Sequence, residues 1–129
     1  MKRIVTDFID DTLQRYPTVG DYYYGKKGVL HIKVSNTGNE YMDRLIMIHE
    51  LIEEMLTMKR GISEPDIMEF DLKFEQEMEK GLHSPTDEPG NAPNCIYRKE
   101  HFFAESIERL CAHELGINWE EYSLIVNDL

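Results

Sequence analysis

Between Glu40 and Arg60 the sequence carries neither glycine nor proline, and the run stops at Gly61. A stretch that long without a breaker, closed by a residue suited to the left-handed position after a last turn, predicts one long α-helix. At 1.5 Å per residue it spans about 30 Å, the width of a small domain, so the rest of the chain must pack around it. Plotted at 100° per residue, Leu45, Ile48, Leu51, Ile52, Met55, Leu56 and Met58 form a continuous apolar arc of about 160°. That arc is expected to face the core, with His49 and Glu53 next to each other on its edge.

The other elements follow from their punctuation. Ser63-Glu-Pro-Asp66 reads as a helix start, with Ser63 as N-cap and Pro65 in the first turn, opening a helix over 63–80 that ends before Gly81. Residues 81–96 hold Pro85, Pro89 and Pro93 and are expected to form a long irregular connection, functional or loose. A helix over 98–115 stops at Gly116. A last one begins at Asn118, with Glu121 completing a capping box and Ile117 and Tyr122 placed as a hydrophobic staple.

Upstream, Val29–Val34 alternates apolar Leu30, Ile32 and Val34 with His31 and Lys33. It reads as a strand whose partner is the stretch Tyr22–Tyr24. Ile4, Val5, Phe8, Ile9 and Leu13 recur at helical spacing up to Pro17, which predicts a short first helix, with a strand as the alternative. The expected fold is therefore mainly α with a small antiparallel β-hairpin, an α+β arrangement in which the central helix 40–60 is packed by helices 63–80 and 98–115. With 129 residues, a single domain over 1–129 is expected.

Charge narrows the functional classes. The chain has 25 Asp and Glu against 14 Lys and Arg, a formal charge of −11, which repels phosphate backbones and argues against direct nucleic-acid binding. The acids concentrate between Glu64 and Glu88, a run suited to a solvated face or to a basic partner. Cys95 and Cys111 form no C-x-x-C pair and read as reduced thiols. Asp7, Asp10 and Asp11 interrupt what would be the apolar core of a signal peptide, and no stretch approaches the roughly 20 apolar residues needed to span a bilayer. The expectation is a cytoplasmic protein with no membrane contact.

Three places offer ligand chemistry. His49 and Glu53, at i and i+4, can direct an imidazole and a carboxylate at one divalent ion, zinc first, with iron and manganese as alternatives. The plain alternative is a weak surface pair. His101 and Glu105 repeat that spacing on the helix 98–115, with Glu108 on the same side. Facing helices with such pairs build metal sites inside helical bundles, although a solvated polar face explains them as well. Asp71 falls inside the stripe Ile67, Phe70, Phe74 and Met78, where a carboxylate needs a metal or a hydrogen-bond partner.

The strand, the turn and a helix carrying His49-Glu50-Leu51-Ile52-Glu53 resemble, over residues 28–56, the zincin-type metallopeptidases, whose H-E-x-x-H helix follows an edge strand that holds substrate. The resemblance implies that His49 is a zinc ligand and Glu50 the general base that activates water. Glu53 stands where that family has its second histidine. The stretch Arg98–Glu108, with Leu115–Trp119 downstream, is also similar to small bacterial and phage-type proteins, a similarity that implies no activity. The leading expectation is a divalent-metal-binding domain, a divergent metal-dependent hydrolase, with His49, Glu53 and His101 as ligands, Glu105 and Asp71 as further candidates, and Glu50 as base. Two alternatives stand beside it. One is an acidic, non-catalytic protein that engages a basic partner through residues 64–88. The other resembles the all-helical, magnesium-dependent nucleotide pyrophosphohydrolases, with Glu50, Glu53 and Glu54 as one motif and Glu105-Ser-Ile-Glu108 as the second.

Overall fold

Alternation along Val29–Ser35 puts Leu30, Ile32 and Val34 on one face of a strand, and all three are fully buried in the computed structural model, which describes residues 3–129. This strand, β3, is the middle of a three-stranded sheet, flanked by β1 (Arg3–Ile9) and β2 (Gly20–Tyr24) in the order β1-β3-β2. β2 and β3 pair antiparallel, Tyr22 opposite Ile32, as the hairpin reading expects. β1 corrects the sequence reading. The segment expected as a first helix is a strand, parallel to β3 along its whole length from Arg3 opposite Val29 to Ile9 opposite Ser35. A ladder to a strand far along the chain outweighs local helical spacing, and the adjacent β-branched Ile4, Val5 and Thr6 suit a pleated surface.

The long helix forms as expected, as α1 (Glu40–Lys59), started by Asn39, whose side chain accepts from the backbone N–H groups of Tyr41 and Met42. Three more helices follow, α2 (Glu64–Glu79), α3 (Arg98–Glu114) and α4 (Trp119–Asn127). The caps read from the sequence are in place, Ser63 accepting from Asp66 N–H and Asn118 from Glu121 N–H. Between α2 and α3 the irregular connection contains one short helical turn, Pro89–Asn91. The fold is thus mainly α with a small sheet, α1 lying between the sheet and α3. No described helix is long and apolar enough to cross a membrane.

The rotation of α1 differs from expectation. Its buried side runs through Met42, Leu45, Ile46, His49, Glu53 and Thr57, whereas Met55 and Met58, placed in the apolar arc by the sequence, are 56% and 57% exposed. The core therefore centres on the polar edge of that arc. α3 is built the same way, burying His101, Ala104, Glu108 and Ala112 while Phe103 and Leu110 face outward. Each helix turns a polar stripe toward the other. Ionisable side chains tolerate such burial only when each is hydrogen-bonded or paired. The small Ala104 and Ala112, both essentially fully buried, keep side-chain bulk low along this face of α3.

Candidate metal centre

Along the seam between α1 and α3, His49 Nε2 lies 3.0 Å from Glu53 Oε2 and 3.2 Å from His101 Nδ1, and His101 Nδ1 lies 3.2 Å from the same Glu53 oxygen. One ligand atom from each residue can be chosen so that all lie within 4.8 Å of one another, and all three side chains are buried. The surface-pair reading of His49 with Glu53 and the solvated-face reading of His101 are both corrected by this burial. The donor set fits a divalent ion. Tetrahedral ligands held at 2.0–2.1 Å from zinc sit about 3.3 Å apart, so the three atoms need open by only a few tenths of an ångström. Protons now hold them together, since Glu53 Oε2 is the acceptor that both imidazoles approach.

Electrostatics fit that description. Burial alone would raise Glu53, but hydrogen bonds from His101 and His49 hold its carboxyl at about 2. Burial opposes charge on His101, and the hydrogen bond to Glu53 outweighs it, raising the imidazole to about 9. His49 is likewise raised well above the ordinary range, burial being overcome by Glu108 and Glu53. Glu50 is pushed far up, by burial first and by the Glu53 charge second.

Both histidines carry a carboxylate behind the ring. His49 Nδ1 meets Glu108 Oε1 at 2.7 Å, and the other Glu108 oxygen accepts from Tyr122 Oη at 2.6 Å. His49 donates from Nδ1 to Glu108 and from Nε2 to Glu53; loss of the Nε2 proton would free that lone pair for an ion with Nδ1–H still held by Glu108, an arrangement that recurs behind metal-bound histidines. Glu88 stands behind His101, but its Oε2 is 3.6 Å from Nε2, beyond hydrogen-bond reach, and this buried nitrogen has no partner among the described residues. The connection between α2 and α3 also crosses close above this ring, because Gly90 has no side chain. A Cβ there would fall 2.5 Å from His101 Nδ1. Substituting Glu108 by glutamine is expected to weaken zinc binding about 10- to 100-fold, the usual cost of losing such a partner. Titration against a chromophoric chelator measures it, and unchanged affinity would remove Glu108 from the site.

The cluster forms part of the wall of a cavity of 380 Å³ that also contains Glu50, Asp71 and Glu105. Glu50 lies against the start of β2, so close that a Cβ on Gly20 would fall 2.5 Å from Glu50 Oε1. No side-chain hydrogen bond reaches Glu50 among the described residues. Glu105 is half-buried and 3.7 Å from Arg109 Nη2, outside the group of three. Asp71 is also outside it. Its two oxygens accept from Tyr97 Oη at 2.6 Å and Tyr16 Oη at 3.1 Å, which answers the demand of a buried carboxylate without a metal. Glu54, invoked in the magnesium reading, instead accepts from Tyr24 Oη of β2 at 3.0 Å.

Burial raises Asp71 from 3.8 to about 7 despite the phenol donors. Its folded-state value lies above its unfolded one, so the stability it contributes is full below about pH 4 and is lost as pH rises through 7. Between those limits the wild type is therefore expected to lose stability relative to Asp71→Asn, which has nothing to titrate there. Denaturant midpoints at pH 4, 5.5 and 7.5 test this, and a constant difference would contradict it.

Tyr122, Tyr97, Tyr16, Glu88 and Gly90 were not legible as site residues. Tyr122 reads from sequence only as a staple, and nothing local signals which carboxylate its hydroxyl meets. Comparison of the chain with protein-family models, with curated proteins and with solved structures finds no match.

Proposed function

We propose that this protein is a metal-dependent hydrolase with His49, His101 and Glu53 as ligands of one divalent ion, zinc in the first place, and Glu50 as general base. The observation that carries the reading is the convergence of the three ligand atoms at the wall of a cavity that also holds Glu50. Two imidazoles and one carboxylate are the donor set of known hydrolytic zinc sites. His101 thus supplies from α3 the second imidazole that the helix sequence His49–Glu53 lacks. When bound, the ion would supply Lewis acidity and make water a stronger acid near neutral pH.

The remaining roles belong to the chain. Glu108 and Tyr122 orient His49. Glu50, with no hydrogen bond to another side chain, is free to take a proton from the attacking water at Oε1 and return it to the leaving group. Gly20, Asp21 and Tyr22 of β2 line the same cavity, and β2 pairs with β3 alone among the described strands. Elemental analysis of tag-free protein purified without chelator is expected to give about one equivalent of zinc, iron or manganese. Protein that stays metal-free after incubation with each of these ions would overturn the proposal.

A further inference from the structure

The side of α3 opposite the metal centre is open along the whole helix. At 100° per residue, Lys99, Phe103, Ser106, Leu110 and Glu114 fall within about 80° of one another, and all five are exposed. Phe103 is 53% and Leu110 64% in solvent, and none of the five lines the cavity. The two charges oppose the dipole of their own helix. Lys99 stands in the first turn, beside the positive end, and Glu114 closes the last turn, beside the negative end, where each is unfavourable. Neither has an ion-pair partner among the described residues; the ion pairs of this helix run through Glu100, His101, Glu105, Glu108 and Arg109.

A second copy of α3 meets all of these features at once. Laid antiparallel about a two-fold axis, it brings its Glu114 opposite Lys99 and its Leu110 opposite Phe103, and each pairing recurs on the other side of the axis. Both pairings share one axis, between Ser106 and Ile107. The register that joins the charges is therefore the register that joins the apolar side chains, which is the self-complementarity that a two-fold interface demands. Each charge also comes to lie beside the helix end of the other copy that favours its sign. At the axis, where the helices come closest, stands the small Ser106, whose hydroxyl already donates to the Phe102 carbonyl at 2.9 Å, so no polar group there is left without a partner.

We propose that the outward side of α3 is the docking surface for a second copy of this chain, giving a two-fold dimer in which Lys99 pairs with Glu114 and Phe103 packs on Leu110 across the axis. A single helix pair of this length buries about 500 Å² per copy, less than the roughly 800 Å² of a standard interface, and each copy carries a charge of −11 that opposes association. The dimer is therefore a weak one, with dissociation in the micromolar range. It leaves both cavities open, and it braces the helix that carries His101 and Glu108 from the side away from the metal centre. The dimer does not rest on the metal or hydrolase reading above.

Sedimentation equilibrium of the full chain in chelator, from about 1 to 300 µM, tests the proposal and is expected to show a monomer–dimer equilibrium with a midpoint in that range. Leu110→Glu is expected to weaken association by more than about a hundredfold, because the buried charge enters the symmetric interface twice. Lys99→Glu and Glu114→Lys should each weaken it about tenfold, by setting like charges opposite each other. The double variant, which restores opposite charges across the axis, should return to within about threefold of wild type, a recovery that no merely structural role of either residue would give. All of these positions are exposed, and both charge reversals suit the dipole of the single helix, so circular dichroism should stay helical and a lost dimer cannot be mistaken for a lost fold. A monomer at every concentration, or assemblies larger than a dimer, would overturn the proposal. So would a dimer indifferent to Leu110→Glu, or charge variants that the double substitution fails to rescue, since either places the contact elsewhere on the surface.

Discussion

His101→Ala is expected to lower zinc affinity by more than about a hundredfold while leaving the helical circular dichroism unchanged. Losing a partner behind a metal-bound histidine already costs about 10- to 100-fold, and this substitution deletes one of three protein ligands. The fold should survive, because Glu53 keeps its 3.0 Å contact with His49 and the space vacated lies beneath Gly90, where the connection between α2 and α3 can settle. His49→Ala is a poorer probe, since it removes one of two imidazoles from Glu53 and the only one from Glu108, and breaking a buried pair on one side costs about 3–5 kcal/mol. Competition with a chromophoric chelator, with stoichiometry from elemental analysis, gives the answer. Wild-type affinity in the His101 variant would take α3 out of the metal site.

The second large effect is expected at Glu50. Glutamine keeps the shape and volume of the side chain but cannot accept the proton of an attacking water, so turnover on any peptide or ester substrate should drop about 10²- to 10⁴-fold, the usual contribution of a positioned base. Metal content should not change, because Glu50 is not among the three converging ligands. Stability should hold or rise, since burial and the Glu53 charge both oppose a negative Glu50. Full activity in Glu50→Gln would require a different base, and loss of metal in it would make Glu50 a ligand.

Local signals carried well in this sequence. Ser63 and Asn118 cap α2 and α4 as read, because a cap is decided within a few residues. β1 was misread because its partner lies beyond both β2 and the intervening turns, and only that ladder makes it a strand. The rotation of α1 was misread for a related reason. An apolar arc shows which side can be buried, but α3 brings His101 and Glu108 to the polar edge, and their hydrogen bonds hold that edge inside while Met55 and Met58 are left in water. Departures from the apolar pattern of this kind fall at functional or strained sites. His49, Glu53 and His101 could be proposed from i, i+4 spacing and ligand type. Glu88, Gly90 and Tyr122 could not, since their relation to the histidines exists only after the chain closes.

The order β1-β3-β2 has a kinetic consequence. The first strand to leave the ribosome has no partner until the third has been made, because β2 never pairs with β1. The β2–β3 hairpin needs only a short loop closure and α1 follows it directly, so these elements can associate first. Throughout that interval the apolar β1, with Ile4, Val5, Phe8 and Ile9, waits as a free edge-seeking segment, the kind that captures a neighbouring chain at high concentration. Refolding yield should therefore fall with protein concentration more steeply for the full chain than for a variant whose β1 is broken by proline at Thr6.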